Sequence, residues 1–512
     1  MSKFNTKKTC QYLLCFFVFV YISSLFILNS YFSGSNNDLE FSVSSQNLKK
    51  AHQINLIFIV QNIKNPLNNN FFSGYKNLKD SSKTQSYETE SIRNMTRHAW
   101  KSYRKFAWGS DILRPVTKTG GSLAFGIQGI IPFTIIDAID TLYVMGLNEE
   151  YLQAKNYISK LDESTFDVDI SVNFFENVIR LLGGLISIYD LYGNINLKSG
   201  MHHSGWKPNL AEIGSNSLEF TRLSKISNDP KYAIAIKKSY NTIQNVLGKD
   251  LPIPGLFPQF LNVENAKFDR DMVYSLGANA DSFYEYLLKF YLLSKKTDMQ
   301  TSEMFDEASK SIKKFLIKTS KKNGLMYIPD GEVDNLNTVM QHLTCFAGGM
   351  FALSVLSGKS ENPKEDTEVA AAITETCFQM YERQEAYKLS PDFVDMESEK
   401  LRGNREHNAY EQRPETVESL FYMWKLTADK QYREKAWKIA QSIEKYSKVK
   451  FGYTGIKDIY LPLESGNFNN QQDSYFLAET LKYLFLIFND DDKILNLNEW
   501  VFNTECHPFK IE

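Results

Sequence analysis

Acidic residues inside long apolar helices are the part of this 512-residue sequence best suited to chemistry. In FFENVIRLLGGLISIYDLYG at 174–193, Glu176 and Arg180 stand four apart and share a helix face. Gly183 and Ser187 continue that narrow polar stripe, while Phe174, Phe175, Ile179, Leu182 and Ile186 cover the other faces. The arrangement recurs at Asp281 with Glu285, at Glu415 with Glu418, and at Tyr475 with Glu479. Singly, each acid reads as a salt bridge or a cap. Glu285 suits such a structural role best, and Glu415 and Glu418, following Pro414, suit a helix's first turn. Together, unpartnered acids are costly to bury, so four such stripes are best accommodated around one shared polar cavity. Convergent carboxylates with aromatic neighbours suit glycoside hydrolysis, in which one acid protonates the leaving oxygen and another activates water. They equally suit a Ca²⁺ site, since hard cations take oxygen ligands.

The elements that must position these acids are helices. Apolar residues recur at three and four in the segments 174–193, 280–294, 415–427 and 473–488, and few runs alternate as strands do. The body from about 96 to 512 is therefore all-α, with on the order of 14 helices if each helix-plus-loop unit takes about 30 residues. That number suits seven hairpins stacked into a closed ring and equally a layered bundle. No G-x-G-x-x-G, phosphate loop or G-x-S-x-G elbow is present. Zinc is poorly served: no H-E-x-x-H or paired C-x-x-C occurs, and His202 and His203 sit in a Gly/Ser loop. His342, three residues before Cys345, faces either the cavity or a hydrogen-bonded core.

With 58 Lys+Arg against 60 Asp+Glu, the net charge of -2 removes the basic signature of a nucleic-acid partner. The stretch 11–32 (QYLLCFFVFVYISSLFILNSYF) carries no charge and is about 33 Å long as a helix, enough to span a bilayer. Lys3, Lys7 and Lys8 precede it, so the positive-inside bias leaves 1–10 in the cytosol as the tail of a type II signal anchor. A cleaved signal peptide is the rival, with a shorter apolar core. Residues 33–95 are rich in Asn, Ser, Lys and Gln and read as a lumenal stem, with one possible docking strand at 54–60. Asn94-Met95-Thr96 is an N-glycosylation sequon usable in a lumen. An oxidising lumen favours a Cys345–Cys377 bridge worth about 3 kcal/mol, against the alternative of three buried free thiols, and leaves Cys506 unpaired.

Ten segments resemble glycoside hydrolase family 47, the class I α-1,2-mannosidases, in the family's order and almost continuously over residues 100–510. They are AWGSDILRP (107–115), TIIDAIDTLYVMGL (134–147), NFFENVIRLLGGLISIYDLYG (173–193), SLEFTRLSKISNDPKY (217–232), GANADSFYEYLLK (277–289), HLTCFAGG (342–349), TETCFQMY (374–381), RPETVESLFYMWKLTADKQY (413–432), DSYFLAETLKYLFLIF (473–488) and VFNTECHP (501–508). The resemblance implies an (α/α)7 barrel at 96–512, Ca²⁺ at its floor, and inverting hydrolysis of terminal α-1,2-mannose from high-mannose N-glycans on glycoproteins. The setting implied is the endoplasmic reticulum or Golgi membrane, with the catalytic domain lumenal. By position, Glu176 resembles the general acid, with Asp281 and Glu415 the other essential carboxylates and Glu415 the base. Thr504 resembles the direct Ca²⁺ ligand. Glu418, Glu479 and Glu505 resemble acids around the metal's water and the bound mannose; Arg180, Tyr475 and His342 are expected beside the sugar. Cys345 and Cys377 match the family's disulfide. Departures are Asn279, where relatives carry Arg or an apolar residue, Asp392 for Glu, Tyr475 for Phe, and Cys506 for a small residue. Two rival readings keep the helices but not the reaction: a mannose-binding relative without catalysis, and a helical scaffold.

Overall fold

A computed structural model describes residues 86–511 apart from 123–131, 162–172, 193–208, 263–266, 269–271, 404–406, 464–465 and 492–493. The expected tail, anchor and docking strand lie outside the described residues, and among the described ones no helix is long and apolar enough to cross a membrane. The helical body starts earlier than the expected 96, because α1 spans Tyr87–Phe106. Ser86 caps it, accepting from the Thr89 amide at 3.1 Å. Glu88 and Glu90 in the first turn and Arg104 and Lys105 in the last complement the helix dipole. A stretch polar enough to read as stem is thus helix, held by buried Ile92, Met95, Ala99 and Trp100. Asn94 is exposed on α1, whereas Thr96 is buried and its hydroxyl donates to the Ile92 carbonyl at 3.0 Å.

The molecule is mostly helical. After α1 come α2 (Phe133–Val144), α3 (Asn148–Ile158), α4 (Gly183–Tyr192), α5 (Leu210–Gly214), α6 (Ser217–Ser227) and α7 (Lys231–Thr242). Then follow α8 (Asp281–Leu293), α9 (Met299–Ser311), α10 (Phe346–Leu356), α11 (Pro363–Glu382), α12 (Glu415–Thr427), α13 (Lys430–Ser442) and α14 (Leu481–Phe488). The helices α2, α4, α6, α8, α10, α12 and α14 each touch the next, and the π-helical turn leading into α14 touches α2, so the contacts return to their start. Outside this circuit, α3 lies on α2, α7 on α6, α9 on α8, α11 on α10 and α12, α13 on α12 and α14, and α1 on α14. Burial follows position: α10 is apolar throughout and buried from Phe346 to Ser354, whereas α13 buries one stripe of Tyr432, Ala436, Ile439 and Ala440.

Two circuit helices open unusually. The turns Asn177–Leu182, before α4, and Phe476–Thr480, before α14, are π-helical. Such turns are rare and recur at functional sites; here they carry Arg180 and Glu479. The Cys345–Cys377 disulfide forms, with Cα atoms 5.8 Å apart, and ties the start of α10 to α11. Cys506 is free and buried. The chain ends in an antiparallel hairpin of Trp500–Phe502 with Pro508–Lys510, whose first strand packs on α8 and second on α4. This hairpin brings the 503–507 turn among the circuit helices.

Candidate active site

The acids singled out in the sequence meet inside the circuit. Glu176, Glu415, Glu418, Glu479 and Glu505 are all buried, and Asp281 is half-buried at the first turn of α8. Asn173 starts the Glu176 turn by accepting from the Glu176 amide at 3.0 Å. Arg180 then gathers three acids. Its Nε donates to Glu176 Oε2 at 2.7 Å, its Nη1 donates to Glu505, and Asp137 lies 3.6 Å away. Burial opposes the guanidinium charge, but Glu505, Glu176 and Asp137 outweigh it and hold Arg180 firmly protonated. The Tyr475 ring lies beside Arg180, at 5.8 Å. The Tyr475 hydroxyl, absent from a Phe, donates to the Glu411 carbonyl at 2.6 Å.

Environment drives these carboxyls in opposite directions. Burial pushes Asp281 up to about 7, with Glu285 and Glu415 adding repulsion and the Ser282 amide opposing it. Burial likewise pushes Glu418 to about 8 despite Lys289, and Glu505 to about 8 despite Arg180. Glu479 is raised well above the usual range by burial and by Glu505 and Glu415. Glu415 is instead held below it: burial favours the neutral acid, but the hydrogen bond from His342, with the charges of His342 and Arg413, reverses the balance. Both His342 ring nitrogens are engaged by protein groups. Its Nδ1 donates to Glu415 Oε2 at 2.7 Å, while the Tyr381 and Thr416 hydroxyls lie 2.9 and 3.0 Å from Nε2. His342 is thus a buried support for Glu415, and its expected place beside a sugar is corrected accordingly. Asp392 also acts on Glu415 indirectly, by binding Arg413 Nε at 2.5 Å.

Of the two structural roles open to Glu285, the salt bridge is the one it takes. It pairs with buried Lys289, whose Nζ also lies 3.9 Å from Glu418. Asn279 adopts a left-handed backbone, φ 73°, at the entry to α8, where its carbonyl accepts from the Ala211 amide at 3.0 Å. Cys506 has φ 59°, and burial raises its thiol to about 12, which keeps it neutral.

Sequence reasoning passed over a second buried set. Asp137 and Asp140 on α2, Lys482 on α14 and His507 after the hairpin turn are all fully buried. His507 Nδ1 donates to Asp140 Oδ2 at 2.8 Å and Nε2 to Asp137 Oδ1 at 3.1 Å, and Lys482 Nζ lies 2.9 Å from Asp140 Oδ1. Burial opposes both charges, yet Lys482 and His507 hold Asp140 down to about 2, and the two aspartates hold His507 up to about 9. The available signal was two acids three apart in the apolar run TIIDAIDTL and a lysine in KYLFLIF.

Acids around Arg180, Lys289, Lys482 and His507 still outnumber these cations, and burial, with added repulsion from neighbouring carboxylates, raises Glu418, Glu479 and Glu505. An additional hard cation fits that surplus. Among the described residues no group of three or more His, Cys, Asp or Glu side chains is spaced as direct metal ligands. Thr504 is half-buried, and its hydroxyl takes no hydrogen bond among the described residues. Its hydroxyl and carbonyl oxygens match the donor preference of Ca²⁺.

The sequence profile described as glycosyl hydrolase family 47 matches residues 95–198 and 192–511. The chain is 38% identical over 457 residues to mannosyl-oligosaccharide 1,2-alpha-mannosidase IA of Sus scrofa, covering 82% of this chain and 67% of that protein. It is 36% identical over 466 residues to the endoplasmic reticulum mannosyl-oligosaccharide 1,2-alpha-mannosidase of Homo sapiens, covering 83% and 64% respectively. Among solved structures, the alpha-1,2-mannosidase from Trichoderma reesei superposes with a TM-score of 0.74 at 25% identity, covering 84% of this chain and 99% of that one.

Proposed function

The chain belongs to glycosyl hydrolase family 47, and from that premise we propose that it removes terminal α-1,2-linked mannose from high-mannose N-glycans by inverting, Ca²⁺-dependent hydrolysis. It is a glycoside hydrolase of the α-1,2-mannosidase type. The circuit of seven helices with a second set outside it supports the reading of an (α/α)7 barrel.

The observation that supports the base assignment is Glu415, held ionised by His342 and Arg413 while burial raises Asp281 near it; the acid role of Glu176 rests on its position in the family's motif. Glu415 takes a proton from water as the water oxygen bonds to the anomeric carbon. Glu176 gives its proton to the glycosidic oxygen as the old bond breaks, so one water is consumed and two hydroxyls appear. Attack from the face opposite the leaving group inverts the anomeric centre. Asp281, pushed to about 7, supplies a further proton-exchanging group beside the base. Thr504 would hold the Ca²⁺, with Glu418, Glu479 and Glu505 around its water shell; when bound, the ion would orient sugar hydroxyls and offset the acids' repulsion. Arg180 holds Glu176 and Glu505 in place for these roles.

The Cys345–Cys377 bridge agrees with an oxidising secretory lumen, and we assign residues 11–32 as the single type II anchor in an endoplasmic reticulum or Golgi membrane. The test is incubation of the full chain with a nine-mannose glycan, with and without EDTA, following products by mass spectrometry and the first released anomer by NMR. Loss of mannose as the β-anomer, abolished by EDTA and restored by Ca²⁺, is expected. Absence of mannose loss would falsify the hydrolase reading, an α-anomer the inversion, and indifference to EDTA the metal.

A further inference from the structure

The turn 503–507 is held residue by residue from five helical elements. Asn503 organises it internally: its Oδ1 accepts from the amides of Glu505 and His507 at 3.0 and 2.8 Å. Its Nδ2 donates outward, to the Ile179 carbonyl at 3.0 Å and to Glu219 Oε1 at 2.9 Å. The Thr504 amide donates to the Tyr286 hydroxyl at 3.3 Å, and that hydroxyl donates to Glu219 Oε1 at 2.7 Å. Lys482 Nζ donates to the Cys506 carbonyl at 2.7 Å. His507 closes the set on Asp137 and Asp140 of α2, and because carboxylates only accept, both ring nitrogens must donate.

The approach is close enough to require glycine on the facing helix. A Cβ on Gly183 would stand 2.6 Å from Asn503 Nδ2, and one on Gly184 would stand 2.7 Å from the Ile136 carbonyl and 3.2 Å from His507 Cε1. At Cys506 the turn takes up a left-handed backbone, φ 59°, which L-residues other than glycine adopt reluctantly, so external groups must hold it. All these anchors act on backbone or on neighbouring residues, and Thr504's own hydroxyl takes no hydrogen bond among the described residues.

We infer that His507, Lys482 and Tyr286 are positioning residues that clasp the 503–507 turn and thereby set the direction in which Thr504 presents its oxygens to a divalent cation. The inference rests on the assignment of Thr504 as the Ca²⁺ ligand. It makes the buried aspartates of α2 part of the metal site's support rather than ligands: they hold His507, which holds the turn. Outer groups that orient a ligand commonly alter metal affinity by about 10- to 100-fold when removed.

The test uses the full chain in detergent and measures Ca²⁺ affinity by calorimetry, alongside unfolding temperatures in EDTA and in saturating Ca²⁺. His507→Gln keeps a side chain of similar reach but cannot bind both aspartates at once; Tyr286→Phe removes one hydroxyl and preserves shape should the first variant fail to fold. The expected result is a dissociation constant raised by about 10-fold or more for His507→Gln, and to a smaller degree for Tyr286→Phe. The stabilisation conferred by Ca²⁺ should shrink in parallel. A purely structural role would lower the unfolding temperature equally with and without Ca²⁺ and leave the dissociation constant unchanged, which would overturn the clasp. If the unaltered chain itself shows no Ca²⁺ binding, the assignment of Thr504 falls and the clasp with it.

Discussion

Replacing His342 by Ala tests the assignment of Glu415 as base, because His342 is the group that keeps this carboxylate ionised against burial. The Nδ1 to Oε2 distance is 2.7 Å, and both side chains are buried. A hydrogen bond to a charged group is worth about 1.5–3 kcal/mol. At about 1.4 kcal/mol per tenfold, its loss should lower kcat/KM near neutral pH by about 10- to 100-fold. The pH dependence gives the sharper readout. Glu415 lies below the usual carboxylate range, so the acid limb of the rate profile should sit low in the unaltered enzyme. Without His342, burial dominates and the limb should move upward. The same linkage applies to stability: a depressed carboxylate contributes above its unfolded-state pKa and loses that contribution as pH falls through the folded one. His342→Ala should therefore show weaker destabilisation in acid than at neutral pH. His342→Gln, which retains one donor, should recover part of the activity. The assay is mannose release from a nine-mannose glycan across pH, with circular dichroism to confirm folding. A folded His342→Ala whose acid limb does not move would refute the claim that His342 tunes Glu415.

Two further outcomes follow from the same geometry. Ca²⁺ binding near neutral pH should release protons, because Glu418 and Glu505 are raised to about 8 and an added cation favours their ionised forms; calorimetry in buffers of different ionisation enthalpy reads this, and an identical heat in each would contradict it. Replacing Cys345 and Cys377 together by Ser should cost about 3–4 kcal/mol, given the 32-residue separation they span, as measured by denaturant unfolding.

Much of the site was legible because chemistry that must be buried leaves a local mark. Glu176, Asp281, Glu415 and Glu479 stand out as acids in apolar helices, and the structure places all four inside one circuit. Glu285 was legible as a structural acid, salt bridge or cap, and the structure pairs it with Lys289. His342 was not. Whether a histidine in an apolar stretch looks inward to a ligand or sideways to a carboxylate depends on Glu415, 73 residues away. The boundary of α1 was missed for the opposite reason: its solvent face is polar enough to resemble a stem, and only packing of Ile92, Met95 and Trp100 against the body reveals the helix.

Periodicity and residue type were sufficient to indicate a helical body and acids buried within it, because these properties reside in spacings of a few residues. The pairing of those acids was beyond such spacing. Arg180 reaches Glu505 across 325 residues and His507 reaches Asp137 across 370, contacts that exist only once the final hairpin is brought among the helices. Proton affinities depend on those pairings and on burial, so Glu415 is held low and Glu505 high although both are glutamates. Residue order supplied the groups; the closure of the helices around the 503–507 turn supplied their pairings, and with them their charges and orientation.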